Sequence, residues 1–256
     1  MIDWTVIERV PFPPVEPPPT GVEFPDPREL EDEDIVAVGS DFTPGTLLSA
    51  YRQGIFPWPH GRVVAWFSPD PRAVFPIESE PHFSRSLRRT LRRGVLADGA
   101  PFTVTIDHAF DDVMRLCGET RPEGTWITPP LMRGYARLHR LGWAHSVEVW
   151  AHDDGAAAPT LAGGIYGVAV GKLFAGESMF HLRTDASKIA FASLARALRA
   201  AGAEVFDVQV ENPHLTSLGC VEVPRDEFLD RAARAVRGAP MKLSVPSASG
   251  AEREGS

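Results

Sequence analysis

Cysteine is nearly absent from this sequence. Only Cys117 and Cys220 occur, far apart and with no second cysteine or histidine at metal-ligand spacing. That excludes a disulfide framework and a structural zinc centre, and it fits a reducing compartment. Long apolar runs are missing too: none approaches the roughly 20 residues of a membrane helix. The opening MIDWTVIERV carries acidic groups in place of the basic start and apolar middle of a secretion signal. A cytoplasmic protein without membrane contact is expected. Positive charge is in deficit, with 26 Lys and Arg against 34 Asp and Glu and a net charge of −8. Such a balance argues against a broad, sequence-independent hold on DNA, while leaving room for a local basic patch. The sequence also lacks a GxSxG elbow, a P-loop, a GxGxxG fingerprint and an HExxH pair. Neither a metal nor a cofactor is therefore expected.

What remains is ordinary globular material, 43% hydrophobic and 23% charged over 256 residues. It is long enough to bury a core unaided. Proline concentrates in PFPPVEPPP (11–19), so residues 1–23 read as an extended, flexible arm. The Gly- and Ser-rich stretch 238–256 reads as a disordered tail.

From about residue 100 the pattern becomes periodic. Residues 102–106 alternate as a strand, and Asp107 is placed to cap a helix with Phe110, Val113, Met114 and Cys117 inward. Thr128-Pro129 opens a helix with Leu131, Tyr135 and Leu138 on its apolar face. Strands are expected at 144–150, 161–170 and 173–180, the last two joined at Gly171-Lys172. A long helix ends at Gly202, followed by a strand at 205–210 and a final amphipathic helix. This order suits an α+β protein with a mostly antiparallel sheet.

Three polar residues break the apolar strands. Period-2 geometry puts Asp207 and Gln209 on one face of VFDVQV, and puts Glu177 with Met179 on one face of LFAGESMF. A buried carboxylate is costly unless it is paired, so each has a structural reading as a bonded core group beside a functional one. Trp58 (FPWP) and Trp126 (EGTWITPP) sit in turns, where an indole can wall an apolar ligand or stack on a base. SRSLRRTLRRG gathers Arg85, Arg88, Arg89, Arg92 and Arg93 at helical spacing. That run is either a solvated face or a phosphate contact.

Several stretches, in order, resemble the leucyl/phenylalanyl-tRNA–protein transferase family: AYRQGIFPW (50–58), WFSPDPRAV (66–74), SRSLRR (84–89), GTWIT (124–128), AHSVEVW (144–150), GGIYGVAVGKLFAGESMF (163–180) and FDVQVENPHLTSLG (206–219). With ASK (186–188) and PRDEF (224–228), they span about residues 24–230. The resemblance implies a GNAT (acetyltransferase)-like C-terminal domain at 73–237 beside a small N-terminal α/β domain at 24–72. It implies a leucyl- or phenylalanyl-tRNA donor, with methionine as a third candidate, and acceptor proteins that begin with Arg or Lys. The product would be an N-degron for Clp-dependent degradation, made by a monomer that needs no cofactor besides its tRNA substrate.

By the same resemblance Asp207 and Gln209 are the catalytic pair, Asp207 polarising Gln209. Glu177 is an acid of the acceptor or active site. Ile165 and Met179 wall the donor side-chain pocket, Trp58 and Trp126 lie near the adenosine end, and Arg85, Arg88, Arg89 and Arg92 face tRNA. Phe67 stands where the family pattern has a second tryptophan, and His181-Leu182-Arg183-Thr184 departs from it after GESMF. The nearest rival is an acetyl-CoA-dependent GNAT acyltransferase, but HLRTDASK has no glycine to cradle a pyrophosphate.

Overall fold

The computed structural model describes residues 10–31, 33–39, 41–58, 63–121 and 124–245. Its first elements are short because proline and glycine punctuate the chain: β1 (Ile35–Val38), α1 (Pro44–Arg52), β2 (Phe56–Pro57) and β3 (Ala65–Phe67). These three strands make a small antiparallel sheet in the order β1-β3-β2. The longer remainder runs β4 (Arg72–Phe75), α2 (Arg85–Arg93), β5 (Phe102–Ile106), α3 (Phe110–Glu119), α4 (Pro129–Arg140), β6 (Ala144–Ala151), β7 (Thr160–Val170), β8 (Leu173–His181), α5 (Ala186–Ala200), β9 (Val205–Gln209), α6 (Pro213–Leu218), β10 (Val221–Val223) and α7 (Arg225–Ala235). Seven strands form one sheet, β10-β4-β9-β8-β7-β6-β5. The α+β class follows the expectation. No helix among the described residues is long and apolar enough to cross a membrane.

Every recorded pairing in the large sheet is antiparallel except β8 with β9, which the α5 crossover makes parallel. That pairing covers only Leu173 to Ala175 against Val205 to Asp207. Beyond it the two strands part.

Helices cover both faces. One core gathers Leu47, Tyr51, Phe110, Leu131, Tyr135, Leu173 and Phe228 from α1, α3, α4, β8 and α7. The other gathers Leu87, Ile165, Phe174, Ile189, Phe191 and Phe206, with α2 and α5 on that side. Gly163 lets α5 approach β7, since a Cβ there would stand 2.7 Å from that of Ala186. This is the close approach that a glycine inside a strand suggests.

Two local expectations are corrected. Asp107 does not cap α3, whose N-cap is Ala109. It adopts a left-handed φ of 62° and instead accepts from the Ser146 N–H at 2.9 Å and contacts His145 Nδ1 at 2.7 Å. Glu177 and Met179 do not share a face. Tyr166 pairs with Ser178 while Gly167 pairs with Gly176, so Glu177 is an extra, bulged residue. The bulge turns Glu177 to the α1/α4 side and Met179 to the α5 side. Gly167 is needed opposite it, because a Cβ there would come 2.2 Å from the Ala175 carbonyl oxygen.

From residue 10 the proline-rich segment is extended, as its composition suggests, yet held rather than loose. The Val15 N–H reaches Leu141 O at 2.7 Å, Trp143 Nε1 donates to Val15 O at 2.8 Å, and Glu16 pairs with Arg52. Residues 1–9 lie outside the described residues. Of the stretch expected as a tail, Met241 is buried, and 246–256 lie outside the described residues.

A second buried carboxylate sits on β6. Glu148 is fully buried, contacted by Ser146 Oγ and Thr105 Oγ1 at 2.5 Å each. Burial pushes its pKa up to about 7 against the hydrogen bonds that oppose the shift. The folded state therefore keeps a proton that the unfolded chain, near 4.5, releases, so stability falls as pH rises between those values. We expect Glu148→Gln to remove roughly 3 kcal/mol of the stability lost between about pH 5 and pH 8 in denaturant titrations. An unchanged slope would place the proton elsewhere.

Candidate active site

The site lies where β8 and β9 part. The Arg72 side chain at the start of β4 meets Asp207 of β9 through two bonds, Nε to Oδ1 at 2.8 Å and Nη2 to Oδ2 at 2.7 Å. The pair is 1% and 2% exposed. Its guanidinium also donates to Gly54 O at 3.1 Å and lies over the rings of Phe56 and Phe228, 4.7 and 4.3 Å from their centroids. Asp207 thus anchors the strand. Its Oδ1 additionally accepts the backbone N–H of Gln209 at 2.9 Å. That bond supports the left-handed φ of 68° at Gln209, next to a register shift between β4 and β9.

The Gln209 side chain turns to Glu177, with Nε2 donating to Oε1 at 2.6 Å. Where the backbone pairing of β8 and β9 has ended, these two side chains bridge the gap. Two phenols complete the group. Tyr51 Oη lies 2.7 Å from Glu177 Oε1, Tyr135 Oη lies 2.8 Å from Oε2, and the phenol oxygens are 2.5 Å apart. Burial raises the Glu177 pKa to about 7, against its hydrogen bonds with Tyr51 and Tyr135. Burial and the neighbouring Glu177 hold both phenols well above the usual tyrosine range.

In front of this network opens a cavity of about 480 Å³ lined by Trp58, Trp126, Ile165, Glu177, Met179 and Gln209. Its size and its few polar groups on apolar walls suit a small ligand or the reactive end of a larger one. Ile165 and Met179 are cross-strand partners. Phe191 and Phe206, stacked 5.2 Å apart, extend that wall. Trp58 packs on Phe67, the ring that replaces the second tryptophan, at 5.4 Å. Trp126 carries the Arg121 guanidinium 5.8 Å from its ring centroid.

Six residues singled out in the sequence therefore line one cavity, and Asp207 lies behind it. The arginine run does not line it: Arg85, Arg88, Arg89 and Arg92 are exposed on α2, with Leu87 and Thr90 turned inward. Among the described residues no carboxylate pairs with any of them. The loop after GESMF is fixed by Arg183, paired with Asp98 and Asp153. Sequence reasoning missed Arg72, Tyr51, Tyr135 and Arg121, although Arg72 and Tyr51 lie inside motifs that carry the resemblance.

Comparison with known proteins gives a consistent answer. A family profile described as leucyl/phenylalanyl-tRNA protein transferase matches residues 74–233, and the profile of its N-terminal domain matches 40–70. Proteins named leucyl/phenylalanyl-tRNA–protein transferase are similar over most of their length. One from Shewanella denitrificans is 49% identical over 78% of this chain and 81% of its own. One from Anaeromyxobacter dehalogenans is 48% identical over 83% and 88%, and one from Pseudoalteromonas atlantica 42% over 88% and 92%.

Proposed function

This chain belongs to the leucyl/phenylalanyl-tRNA–protein transferase family, and on that premise we propose how its cavity moves an amino acid from tRNA to a protein. The enzyme is an aminoacyl-tRNA-dependent transferase. The observation that carries the reading is the single cavity shared by Gln209, Glu177, Ile165, Met179, Trp58 and Trp126. Ile165 and Met179, with Phe191 and Phe206, receive the leucine, phenylalanine or methionine side chain, since an adaptable apolar wall accepts similar bulk. Trp58 and Trp126 flank the terminal adenosine. The parallel pair β8–β9, parting beyond Ala175 and Asp207, supports a GNAT-like reading of the larger unit.

The donor is an activated ester, so catalysis needs mainly placement and a path for one proton. The neutral α-amine of the acceptor attacks the ester carbonyl carbon. A C–N bond forms, the C–O bond to the terminal ribose breaks, and the amine proton ends on the ribose oxygen. The products are a protein longer by one residue and deacylated tRNA. Gln209 presents its amide carbonyl to the amine and holds it in line. Glu211, the other carboxylate lining the cavity, would attract the cation of an N-terminal Arg or Lys. The enzyme would act in the cytoplasm as a monomer without a further cofactor, and its product would be an N-degron for Clp-dependent degradation.

The α2 arginines would contact tRNA phosphates. Replacing Arg88, Arg89 and Arg92 by alanine should lower the slope of log affinity against log salt by about two to three, at 0.7–0.9 per lost contact. Filter binding at several salt concentrations reads this, and an unchanged slope would return the helix to a solvated face. The reaction itself is tested with labelled phenylalanyl- and leucyl-tRNA, arginine-start and alanine-start peptides, and acetyl-CoA as the rival donor. Label on the arginine peptide is expected. Acetylation without aminoacyl transfer would overturn the reading.

A further inference from the structure

Three short oxygen contacts join Glu177, Tyr51 and Tyr135, at 2.7, 2.8 and 2.5 Å. A hydrogen bond needs one proton per contact, and a phenol has one to give. Were Glu177 a carboxylate, two phenol protons would serve three contacts. One contact would then set lone pair against lone pair, in a site where Tyr51 is 2% and Tyr135 0% exposed. A neutral Glu177 supplies the third proton and closes the ring: its carboxyl O–H donates to Tyr135, Tyr135 to Tyr51, and Tyr51 to the carbonyl oxygen Oε1.

We infer that Glu177 works as an uncharged carboxylic acid, and that its ring with Tyr51 and Tyr135 positions the Gln209 amide for the acceptor amine. This rests on the transferase reading above. In the ring Oε1 is an acceptor only, so Gln209 must turn its NH2 toward it, as the 2.6 Å contact from Nε2 records. The Gln209 carbonyl oxygen is then the end presented to the cavity. Tyr51 and Tyr135 are positioning residues, acting on the substrate through Glu177 and Gln209.

Charge agrees independently. The groups facing Glu177 are Tyr51 from α1, Tyr135 from α4, Tyr166 from β7, and Gln209 and Asp207 from β9. None is a cation. Arg72 is bound bidentately to Asp207 and to Gly54 O, and Arg121 stops at Ser178 Oγ, 2.8 Å away. An ionised Glu177 would have no counterion and would add to the charge of Asp207. Burial, which moves its pKa to about 7, acts in the same direction. Attraction of a cationic acceptor then falls to Glu211 rather than to Glu177, the acid expected from the resemblance.

Infrared spectra of the full-length protein, wild type minus Glu177→Gln, test the proton directly. A protonated-carboxyl band should be present in that difference below neutral pH and should titrate away with a midpoint of about 7. Kinetics test the positioning. Glu177→Ala should lower kcat by about 100-fold, and Glu177→Gln, whose amide can donate to Tyr135 and accept from Tyr51, should recover most of that loss. The wild-type decline above neutral pH should be absent from Glu177→Gln. A wild-type minus Glu177→Gln spectrum without the acid band at pH 6, or a folded Glu177→Gln as inactive as Glu177→Ala, would overturn the inference. A wild type that transfers nothing would instead sink the transferase reading, while the band would still report the ring.

Discussion

Replacing Gln209 by alanine is expected to lower kcat for aminoacyl transfer by about 100-fold or more, with the melting curve little changed. Gln209 sits at the cavity with its backbone tied to Asp207 and its amide tied to Glu177. Alanine keeps the backbone tie and removes the amide carbonyl proposed to meet the amine. A glutamine is too weak a base to strip a proton outright, so the loss measures orientation, worth about two orders of magnitude when a reacting group is misplaced by an ångström. The KM for charged tRNA should move little, because the apolar wall and the tryptophans remain. Steady-state kinetics with an arginine-start peptide decide it. Wild-type kcat in a folded Gln209→Ala would remove Gln209 from the chemistry.

The second large effect falls on stability. Arg72→Met should cost roughly 3–5 kcal/mol, because it strands a buried carboxylate without its partner. The charge, not the packing, is the main loss, since methionine can still fill the space between Phe56 and Phe228. Adding Asp207→Asn should therefore restore much of the stability, the asparagine oxygen still accepting the Gln209 N–H. Denaturant unfolding of the two singles and the double reads the coupling. Additive losses would mean that Arg72 acts through packing alone. The same geometry makes Asp207→Ala a poor probe of catalysis, since it leaves a buried guanidinium unpaired.

How far the sequence reached is clearest residue by residue. Asp207 and Gln209 were legible because β9 alternates cleanly and its polar face is conspicuous against Phe206 and Val208. α4 was legible from Thr128-Pro129, and Tyr135 from its apolar stripe. The face of Glu177 was misread because a bulge adds a residue that alternation cannot register. Asp107 was misread because its side chain found a partner across the β5–β6 pair, a choice set by tertiary contact. Arg72 was invisible because its meaning lies in Asp207, 135 positions away. The hydroxyls of Tyr51 and Tyr135 belong to separate helices and acquire a common purpose only when both helices pack on one sheet.

The parting of β8 from β9 has a consequence for what the enzyme can take in. Two strands joined at their base and apart above leave a notch in the sheet, and the side chains of Glu177 and Gln209 meet across it. On the proposed function, the acceptor would enter that notch by its free end. Under that reading the choice of a first residue would begin with the topology of the sheet, and the side chains at the mouth would choose among ends.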